Sequence, residues 1–336
     1  MIKNKTTIIA EAGVNHNGNI KLAKKLIDSA SKIGADYIKF QTFKAEDIVT
    51  RTAPKAKYQK ENFRNKDSQY LMLKKLELSE KDHILLKKYC LKKKIKFLSS
   101  PFDINSFNFL KKIGQKIIKI PSGEINNIPF LEHVGKYNMQ IILSTGMSFL
   151  SEIRTAVRTL IKAGTRKNKI TVLHCNTEYP SPIKDLNLKA MITIKNKLGV
   201  SVGYSDHSEG IVVPLIAVSL GAKIIEKHFT INKNFKGPDH KASLDIIEFE
   251  KMVKEIRNTE IILGSETKKP SSSEKKNIKI VRKSIFAKKN ILVGNIFSKE
   301  NICIKRPGNG LQPKFWKKIL GKKSKYRFKK DKIIKL

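Results

Sequence analysis

Two histidines each follow an apolar, strand-like run of the chain. His207 comes just after the run 200–204, His228 comes just after the run 222–225, and an apolar helix-like segment lies between the runs. If these runs are neighbouring parallel strands, both imidazoles lie at the same end of one sheet. One such histidine alone is more often a structural residue, but the pair indicates a site. Two imidazoles without a clear third protein ligand suit a labile Mn²⁺ or Mg²⁺ ion better than a structural zinc.

Lysines and hydroxyl groups follow other strand-like runs. Lys39 and Lys119 are accompanied by Ser100, Ser122 and Ser205. A buried lysine needs an anion or a lowered pKa, so this set predicts a cradle for a phosphate together with a carboxylate. A Schiff base on one of the lysines, as in barrel aldolases, is the competing interpretation.

Three carboxylates complete the set of reactive groups. Glu11 follows the first apolar run, Glu124 follows the fourth, and Asp239 lies beyond the last. Carboxylates in such positions are candidates for acid–base chemistry or for binding sugar hydroxyls.

The elements that would position these residues are eight short apolar runs, which alternate with amphipathic segments over the first 262 residues. The runs are 7–10, 37–41, 96–99, 117–120, 140–144, 170–175, 200–204 and 222–225. Eight β/α units predict a closed (β/α)8 TIM barrel, with its chemistry at the carboxyl ends of the strands. An open doubly wound sheet is the alternative, but no G-x-G-x-x-G motif follows the first run to favour it.

Three further segments define the predicted domain organisation. The long connection 43–70, with Tyr58 and Tyr70, fits a substrate-covering lid better than a short barrel loop. Residues 264–278 have the Ser, Lys and Gly content of a linker. We therefore predict a barrel over 1–263, a linker over 264–278 and a small second domain over 279–336.

The charge and cysteine content bound the class of protein. The formal net charge of +40 permits a polyanion-binding protein, yet the lysines are spread over nearly every predicted element, so we expect neither nucleic acid nor membrane as partner. Cys90, Cys175 and Cys303 are few and far apart, which indicates a reducing compartment. We expect no signal peptide, because the first apolar run is short and is broken by Glu11. We also expect no membrane-spanning segment, because the sequence has no apolar run of about 18 residues. We expect a soluble cytoplasmic protein.

Nine short motifs, in order along the chain, together resemble the sialic acid synthase family, which makes nonulosonic acids. They are IAEAGVNHNG (9–18), KFQTF (39–43), LSSPF (98–102), KIPSGE (119–124), LSTGM (143–147), GYSDH (203–207), EKHFT (226–230), GPDHKAS (237–243) and KRPGNG (305–310). The resemblance implies a (β/α)8 barrel joined to a C-terminal antifreeze-like domain, also called an SAF domain. It also implies condensation of phosphoenolpyruvate with an N-acylated hexosamine and release of phosphate.

The resemblance also implies a role for each candidate residue. Those implied to hold phosphoenolpyruvate are Lys39, Ser100, Lys119, Ser122 and Ser205. His207 and His228 would bind Mn²⁺ or Mg²⁺. Glu11 and Asp239 would bind and help to open the sugar, and Glu124 would be the base for the attacking water. Gln41 and Tyr179 would line the sugar site. Arg306, from the second domain of a partner subunit, would reach the N-acyl group, which implies a domain-swapped homodimer.

Some positions depart from the family pattern. Phe40 stands where several relatives have His, Ser100 where they have Thr, and Thr177 where some have a phosphate-contacting Asn. The sequences KAEDIVTRTAPKAKYQ and HCNTEYPSP resemble members that make legionaminic acid. The expected product is therefore N,N'-diacetyllegionaminate, with N-acetylneuraminate and then pseudaminate as alternatives.

Overall fold

A computed structural model describes residues 5–56, 59–60 and 67–336 of the chain. The chain forms two compact units, Met1–Gly264 and Ser265–Leu336. The candidate residues before position 240 all belong to the first unit, whereas Arg306 belongs to the second.

Eight parallel strands form the centre of the first unit. They are β1 (Thr7–Gly13), β2 (Tyr37–Thr42), β3 (Lys96–Pro101), β4 (Ile117–Ile120), β5 (Gln140–Ser144), β6 (Ile170–Cys175), β7 (Ser201–Asp206) and β8 (Ile224–His228). Their order is β3-β2-β1-β8-β7-β6-β5-β4, and β3 lies beside β4, which closes the sheet. The predicted TIM barrel is confirmed.

Helices surround this barrel, mostly one after each strand. They are α1 (Ile20–Lys32), α2 (Ala45–Ile48), α3 (Gln69–Leu76), α4 (Glu80–Lys92), α5 (Ile104–Lys112), α6 (Ile128–Gly135), α7 (Leu150–Ala163), α8 (Ala190–Leu198), α9 (Val212–Ser219) and α10 (Ile246–Leu263). Ser79 and Asp82 form a capping box at the start of α4, where two otherwise unpaired backbone donors are satisfied.

Alternation along each strand creates two buried layers. Inside the barrel, one residue from each of five strands packs in a shared layer made of Ile9, Leu98, Ile142, Leu173 and Ile224. The next residues along, such as Ile8 and Ile225, belong to the larger core that includes the helices. Burying each such side chain contributes roughly 1.5–3 kcal/mol. The middle of the barrel is therefore packed with apolar side chains, and the candidate polar residues lie beyond it at the carboxyl ends of the strands.

The seam between β3 and β4 is closed by a side chain. The Gln115 amide donates to the Ser99 carbonyl and accepts from the Ser99 N–H, each at 2.9 Å. It also donates to the Ile117 carbonyl at 2.9 Å. Gln115 is buried, so it replaces backbone pairing where water has no access.

Replacement of Gln115 by alanine is expected to lower the free energy of unfolding by about 3 kcal/mol. The change removes three hydrogen bonds and leaves the buried N–H and C=O of Ser99 unpaired, at roughly 1–3 kcal/mol for each orphaned group. Urea unfolding followed by circular dichroism measures the loss. The matched control is Lys116→Ala at the exposed next position, for which less than about 0.5 kcal/mol is expected.

The second unit is a small, separately packed body. Strand β9 (Ser284–Ala287) pairs antiparallel with β10 (Ile302–Lys305), next to helices α11 (Ser272–Val281) and α12 (Trp316–Ile319). Its core includes Ile285, Phe297 and Phe328. Within the predicted linker 264–278 the structure instead begins α11, because Ser271 and Glu274 form a capping box. No helix among the described residues is long and apolar enough to cross a membrane.

Candidate active site

The carboxyl ends of the strands surround a cavity of about 460 Å³. All eight strand ends contribute to its lining, directly or through the residue that follows. The predicted site residues that line it are Glu11, Lys39, Gln41, Ser100, Lys119, Ser122, Glu124, Tyr179, Ser205, His207, His228 and Asp239. The structure therefore brings together every predicted site residue of the first unit.

Two lysines and two carboxylates form a buried cluster at the floor of the cavity. Lys39 Nζ lies 2.9 Å from Glu11 Oε2 and 3.5 Å from Glu226 Oε2. Lys119 Nζ lies 3.3 Å from Glu226 Oε1. All four side chains are nearly inaccessible to solvent. The lysines are thus paired with carboxylates inside the protein, which the sequence pattern did not predict.

Burial and pairing shift the pKa values of three of these groups in different directions. Burial lowers the pKa of Lys119, which has one carboxylate beside it, and the attraction of Glu226 does not fully offset this. Burial opposes the charge on Lys39 too, but Glu11 and Glu226 outweigh it and raise its pKa. Burial also raises the pKa of Glu11. When Glu11 takes up a proton, the cluster carries net positive charge, which favours an anion.

Hydroxyl groups surround this cluster. Ser100 Oγ accepts from Lys39 Nζ at 3.1 Å, and Ser205 Oγ donates to Glu226 Oε1 at 3.0 Å. Ser122 Oγ accepts from the Gly146 N–H at 3.0 Å. A Cβ at Gly146 would lie 2.3 Å from the Thr177 side chain and 3.1 Å from Ser122 Oγ, so only glycine permits this approach. Lysines and hydroxyls together can bind several oxygens of one phosphate.

The two histidines lie side by side at the rim. The ring centroids of His207 and His228 are 5.4 Å apart, and the Tyr179 ring lies 4.1 Å from that of His207. His207 Nδ1 bonds the Asn176 carbonyl, and its Nε2 lies 3.5 Å from Ser205 Oγ. His228 Nδ1 has no hydrogen-bond partner among the residues that the structure describes, and Asp239 Oδ2 lies 3.8 Å away.

Burial favours the neutral form of both imidazoles, which is the form that binds metal ions. Burial lowers the pKa of His207 to about 4 and that of His228 well below its usual range. Within residues 5–56, 59–60 and 67–336, no three His, Cys, Asp or Glu side chains form a ready metal cluster. Two neutral nitrogens and a nearby carboxylate oxygen nevertheless form a donor set that fits a labile divalent cation with open coordination positions.

A network behind the rim holds Asp239. The Asn15 amide donates to Phe229 O and to Ser243 Oγ, each at 2.9 Å, and Ser243 Oγ donates to Asp239 O at 2.7 Å. Burial raises the pKa of Asp239 to about 6. The motif that contains Asn15 therefore fixes a loop that lies more than 200 residues later in the chain.

His16, the neighbour of Asn15, makes the fold sensitive to acid. It is almost fully buried, and burial lowers its pKa from 6.5 to about 3. The unfolded chain therefore binds this proton below pH 6.5 while the folded chain does not, so stability falls as pH falls. Between pH 7 and pH 5 the free energy of unfolding of the wild-type chain should therefore fall by about 2 kcal/mol on account of His16. In the His16→Gln variant this part of the fall should be absent. Urea unfolding at both pH values measures the difference. The control is His133→Gln, a change nearer the surface, which should lose as much stability between pH 7 and pH 5 as the wild-type chain.

Glu124 lies apart from the lysine cluster on the same cavity. Burial raises its pKa, and the Asn127 amide, which donates to Oε2 at 2.7 Å, partly opposes the shift. Gln41 lies nearer the floor, where its amide is 3.5 Å from Glu11 Oε1. A carboxylate with a raised pKa beside a solvent-accessible cavity is suited to proton transfer near neutral pH.

One side of the cavity is apolar. We call this side the apolar wall, which consists of Val14, Phe43, Ile48, Met72, Leu73, Leu76 and Phe102. Most of it comes from the long connection that was predicted as a lid and from α3. Tyr58 lies outside the described residues, and Tyr70 packs under Arg51 at 5.8 Å. The connection therefore contributes apolar side chains to the lining of the cavity.

Arg306 is the predicted site residue that does not line this cavity. It lies just after β10 in the second unit, with its side chain exposed and a cis bond to Pro307. The sequence pattern conversely gave no role to two residues that do line the cavity, Glu226 and Ser144. Ser144 Oγ is buried without a hydrogen-bond partner in the described part of the chain. Strand position was the available signal, since Ser144 ends β5 and Glu226 lies on β8 two residues before His228, on the same side of the strand.

Comparison with known proteins identifies the family. The sequence profile of the NeuB family matches residues 26–268, and that of the SAF domain matches residues 282–336. This chain belongs to the NeuB family. The predicted resemblance and the predicted C-terminal SAF domain are thereby confirmed.

Individual NeuB-family relatives are similar over nearly the whole chain. An N,N'-diacetyllegionaminic acid synthase of Campylobacter jejuni is 51% identical, with 98% of this chain and 99% of that protein covered. One from Legionella pneumophila is 46% identical, with 94% and 89% covered. The crystal structure of an N-acetylneuraminic acid synthetase from Leptospira borgpetersenii superposes with a TM-score of 0.72 at 38% identity, covering 82% of this chain and 90% of that one.

Proposed function

We propose that this NeuB-family chain condenses phosphoenolpyruvate with 2,4-diacetamido-2,4,6-trideoxymannose to form N,N'-diacetyllegionaminate. The methylene carbon of phosphoenolpyruvate forms the new C–C bond with the sugar aldehyde carbon. Water adds to C2, and the C2–O bond to phosphate breaks. The products are one nine-carbon 2-keto sugar acid and one inorganic phosphate. The observation that carries the proposal is the buried Lys39–Glu11–Lys119–Glu226 cluster beside two neutral histidines.

The lysine cluster is the proposed site of phosphoenolpyruvate. Lys39 and Lys119 balance the charges of the phosphate and the carboxylate, and Ser100, Ser122 and Ser205 bind their oxygens. Uptake of a proton by Glu11 compensates for the added negative charge, since burial already raises the pKa of Glu11. The net charge of the cluster can thus become more positive when a ligand with two or three negative charges binds.

His207 and His228 would hold a divalent cation, Mn²⁺ or Mg²⁺. Its chemistry would be to polarise the sugar aldehyde toward attack. The fit rests on the unpartnered His228 Nδ1 and on the lowered pKa of both imidazoles.

The remaining groups act on the sugar and on water. Glu11 and Asp239 bind the sugar and take part in opening its ring, and Gln41 and Tyr179 line its site. Glu124 accepts the proton of the water that attacks C2, a role supported by its raised pKa. Placing the base on the β4 side, apart from the histidines, keeps proton transfer separate from the aldehyde.

The apolar wall supports the choice of sugar. A 2,4-diacetamido-2,4,6-trideoxy sugar has a methyl group at C6 and an acetyl methyl at C4, where N-acetylmannosamine has hydroxyls. Each methyl placed on an apolar surface contributes about 0.8 kcal/mol. The identity of 51% to a synthase named for this product points the same way. N-acetylneuraminate and pseudaminate synthesis are the alternatives.

We further propose a cytoplasmic homodimer in which Arg306 of each chain contacts the N-acyl group of a sugar held by its partner. Exposed apolar side chains on both units support an intersubunit contact. Met147 and Phe149 lie on the β5–α7 loop of the barrel, and Leu292 and Val293 lie on the second unit. Three free cysteines suit a reducing compartment.

The proposed reaction is tested with the purified chain, phosphoenolpyruvate, Mn²⁺ and the diacetamido sugar. We expect phosphate release equal in amount to a nine-carbon sugar acid identified by mass spectrometry, and no release when any one component is omitted. Failure with this sugar and with N-acetylmannosamine alike would contradict the proposal. Borohydride trapping of substrate on Lys119 would favour the Schiff-base alternative instead.

A further inference from the structure

A buried ion pair lies directly behind the two histidines. Asp206 on β7 and Lys227 on β8 are register partners, and both side chains are completely inaccessible to solvent. Their neighbours in sequence, Ser205, His207, Glu226 and His228, line the cavity. Because side chains alternate along a strand, the ion pair faces the helices while the candidate site residues face the interior.

The pair belongs to a buried hydrogen-bond network that includes Ser208. Asp206 Oδ1 accepts from the Ser208 N–H at 3.0 Å and from Ser208 Oγ at 2.7 Å. Lys227 Nζ donates to Asp206 Oδ2 and, at 2.6 Å, to the Ser208 carbonyl. Lys227 therefore holds the residues on both sides of His207. The turn that carries one histidine is tied to the strand that carries the other.

The position of the pair is informative because buried ion pairs generally contribute little net stability. A buried ion pair loses much of its Coulomb attraction to desolvation, and apolar residues of similar size are often as stabilising or more so. The β7–β8 ladder ends at the Asp206–Lys227 level, and His207 and His228 lie just beyond it. Hydrogen bonds between charged groups have preferred directions, whereas apolar contacts do not. The ion pair therefore restricts the orientation of the two strand ends more than apolar packing would.

We propose that Asp206 and Lys227 are positioning residues that set the relative placement of the His207 and His228 imidazoles, and through it the affinity for a divalent cation. The cation part rests on the proposed function, whereas the placement of the imidazoles does not. Neither residue touches the cavity, so each acts through the backbone of its own strand.

The test compares full-length Asp206→Asn, Lys227→Met and the double variant with the wild-type chain. The double variant removes both buried charges, so it should regain the stability that either single change loses through an unpaired charge. Glu260→Gln is the matched control. Glu260 is also a buried carboxylate, bonded to the Thr6 N–H and to Arg257. It lies on α10 and contacts the residue that precedes β1, at the opposite end of the barrel.

Two readouts separate positioning from stability. In the metal-free protein, the ¹⁵N imidazole shifts of His207 and His228 should move in all three variants and stay unchanged in Glu260→Gln. In Mn²⁺ titrations followed by electron paramagnetic resonance, Kd should rise at least tenfold in all three, including the double variant with restored melting temperature. Wild-type shifts and Kd in the double variant would overturn the proposal. If the wild-type chain binds no Mn²⁺, the proposed metal site fails, and the imidazole shifts alone decide the positioning role.

Discussion

Replacement of Lys119 by methionine is expected to lower kcat/KM for phosphoenolpyruvate by about 100- to 1000-fold, mainly through a higher KM. The change removes one of two cations from a buried cluster and leaves Glu226 paired with Lys39 alone. Truncating one member of a buried charge pair typically costs about 2–5 kcal/mol, and each 1.4 kcal/mol corresponds to a factor of ten. The floor of the cavity then carries less positive charge and attracts the phosphoenolpyruvate anion less strongly.

Initial rates of phosphate release at varied phosphoenolpyruvate concentration measure this effect, with circular dichroism to verify folding. Lys116→Met is the matched control, since Lys116 is exposed three residues earlier in the chain, and its kinetics should equal those of the wild-type enzyme. A KM for phosphoenolpyruvate within threefold of wild type in a folded Lys119→Met variant would contradict the proposed anion site.

Replacement of His228 by alanine is expected to reduce kcat by about 1000-fold, an effect that chelation of divalent metal in the wild-type chain should reproduce. Loss of several kcal/mol of transition-state stabilisation accounts for a change of this size. His228 is assigned this role because its Nδ1 has no hydrogen-bond partner in the described chain and because its lowered pKa keeps the ring neutral. Added Mn²⁺ should restore the chelated wild type and should not restore the variant.

His174→Gln supplies the control for the histidine prediction. His174 lies on β6, next to β7, and its Nε2 bonds the Leu186 carbonyl at 2.8 Å. It does not line the cavity of the lysine cluster, so activity close to wild type is expected. Full activity of His228→Ala in the presence of a chelator would exclude the proposed metal role.

The barrel and most of its site could be predicted because local pattern and global fold agree. Each short apolar run was predicted as a strand, and the polar residues at the ends of parallel strands must share one rim. His207 and His228 could be paired from spacing alone, since each lies at the carboxyl end of one of two consecutive strands. The nine motifs supplied the roles, which neither spacing nor composition contains.

Two features of the barrel could not be predicted, because they depend on contacts between strands that are distant in the sequence. Glu226 opens the EKHFT motif, but the sequence could not show that it joins Lys39 and Lys119, because that depends on register across β2, β4 and β8. Gln115 reads as an ordinary polar loop residue, yet it closes the β3–β4 seam. The role of Arg306 requires a second chain and stays a prediction.

The choice of sugar is tested most directly by the ratio of kcat/KM for 2,4-diacetamido-2,4,6-trideoxymannose to that for N-acetylmannosamine, at saturating phosphoenolpyruvate and Mn²⁺. Hydrophobic contacts of this kind discriminate by roughly 10- to 200-fold, and we expect a ratio in this range for the wild-type chain. Leu73→Gln, in the apolar wall, should lower the ratio at least fivefold. Leu71→Gln, exposed on the same helix, should leave it unchanged. A wild-type ratio at or below one would contradict the account.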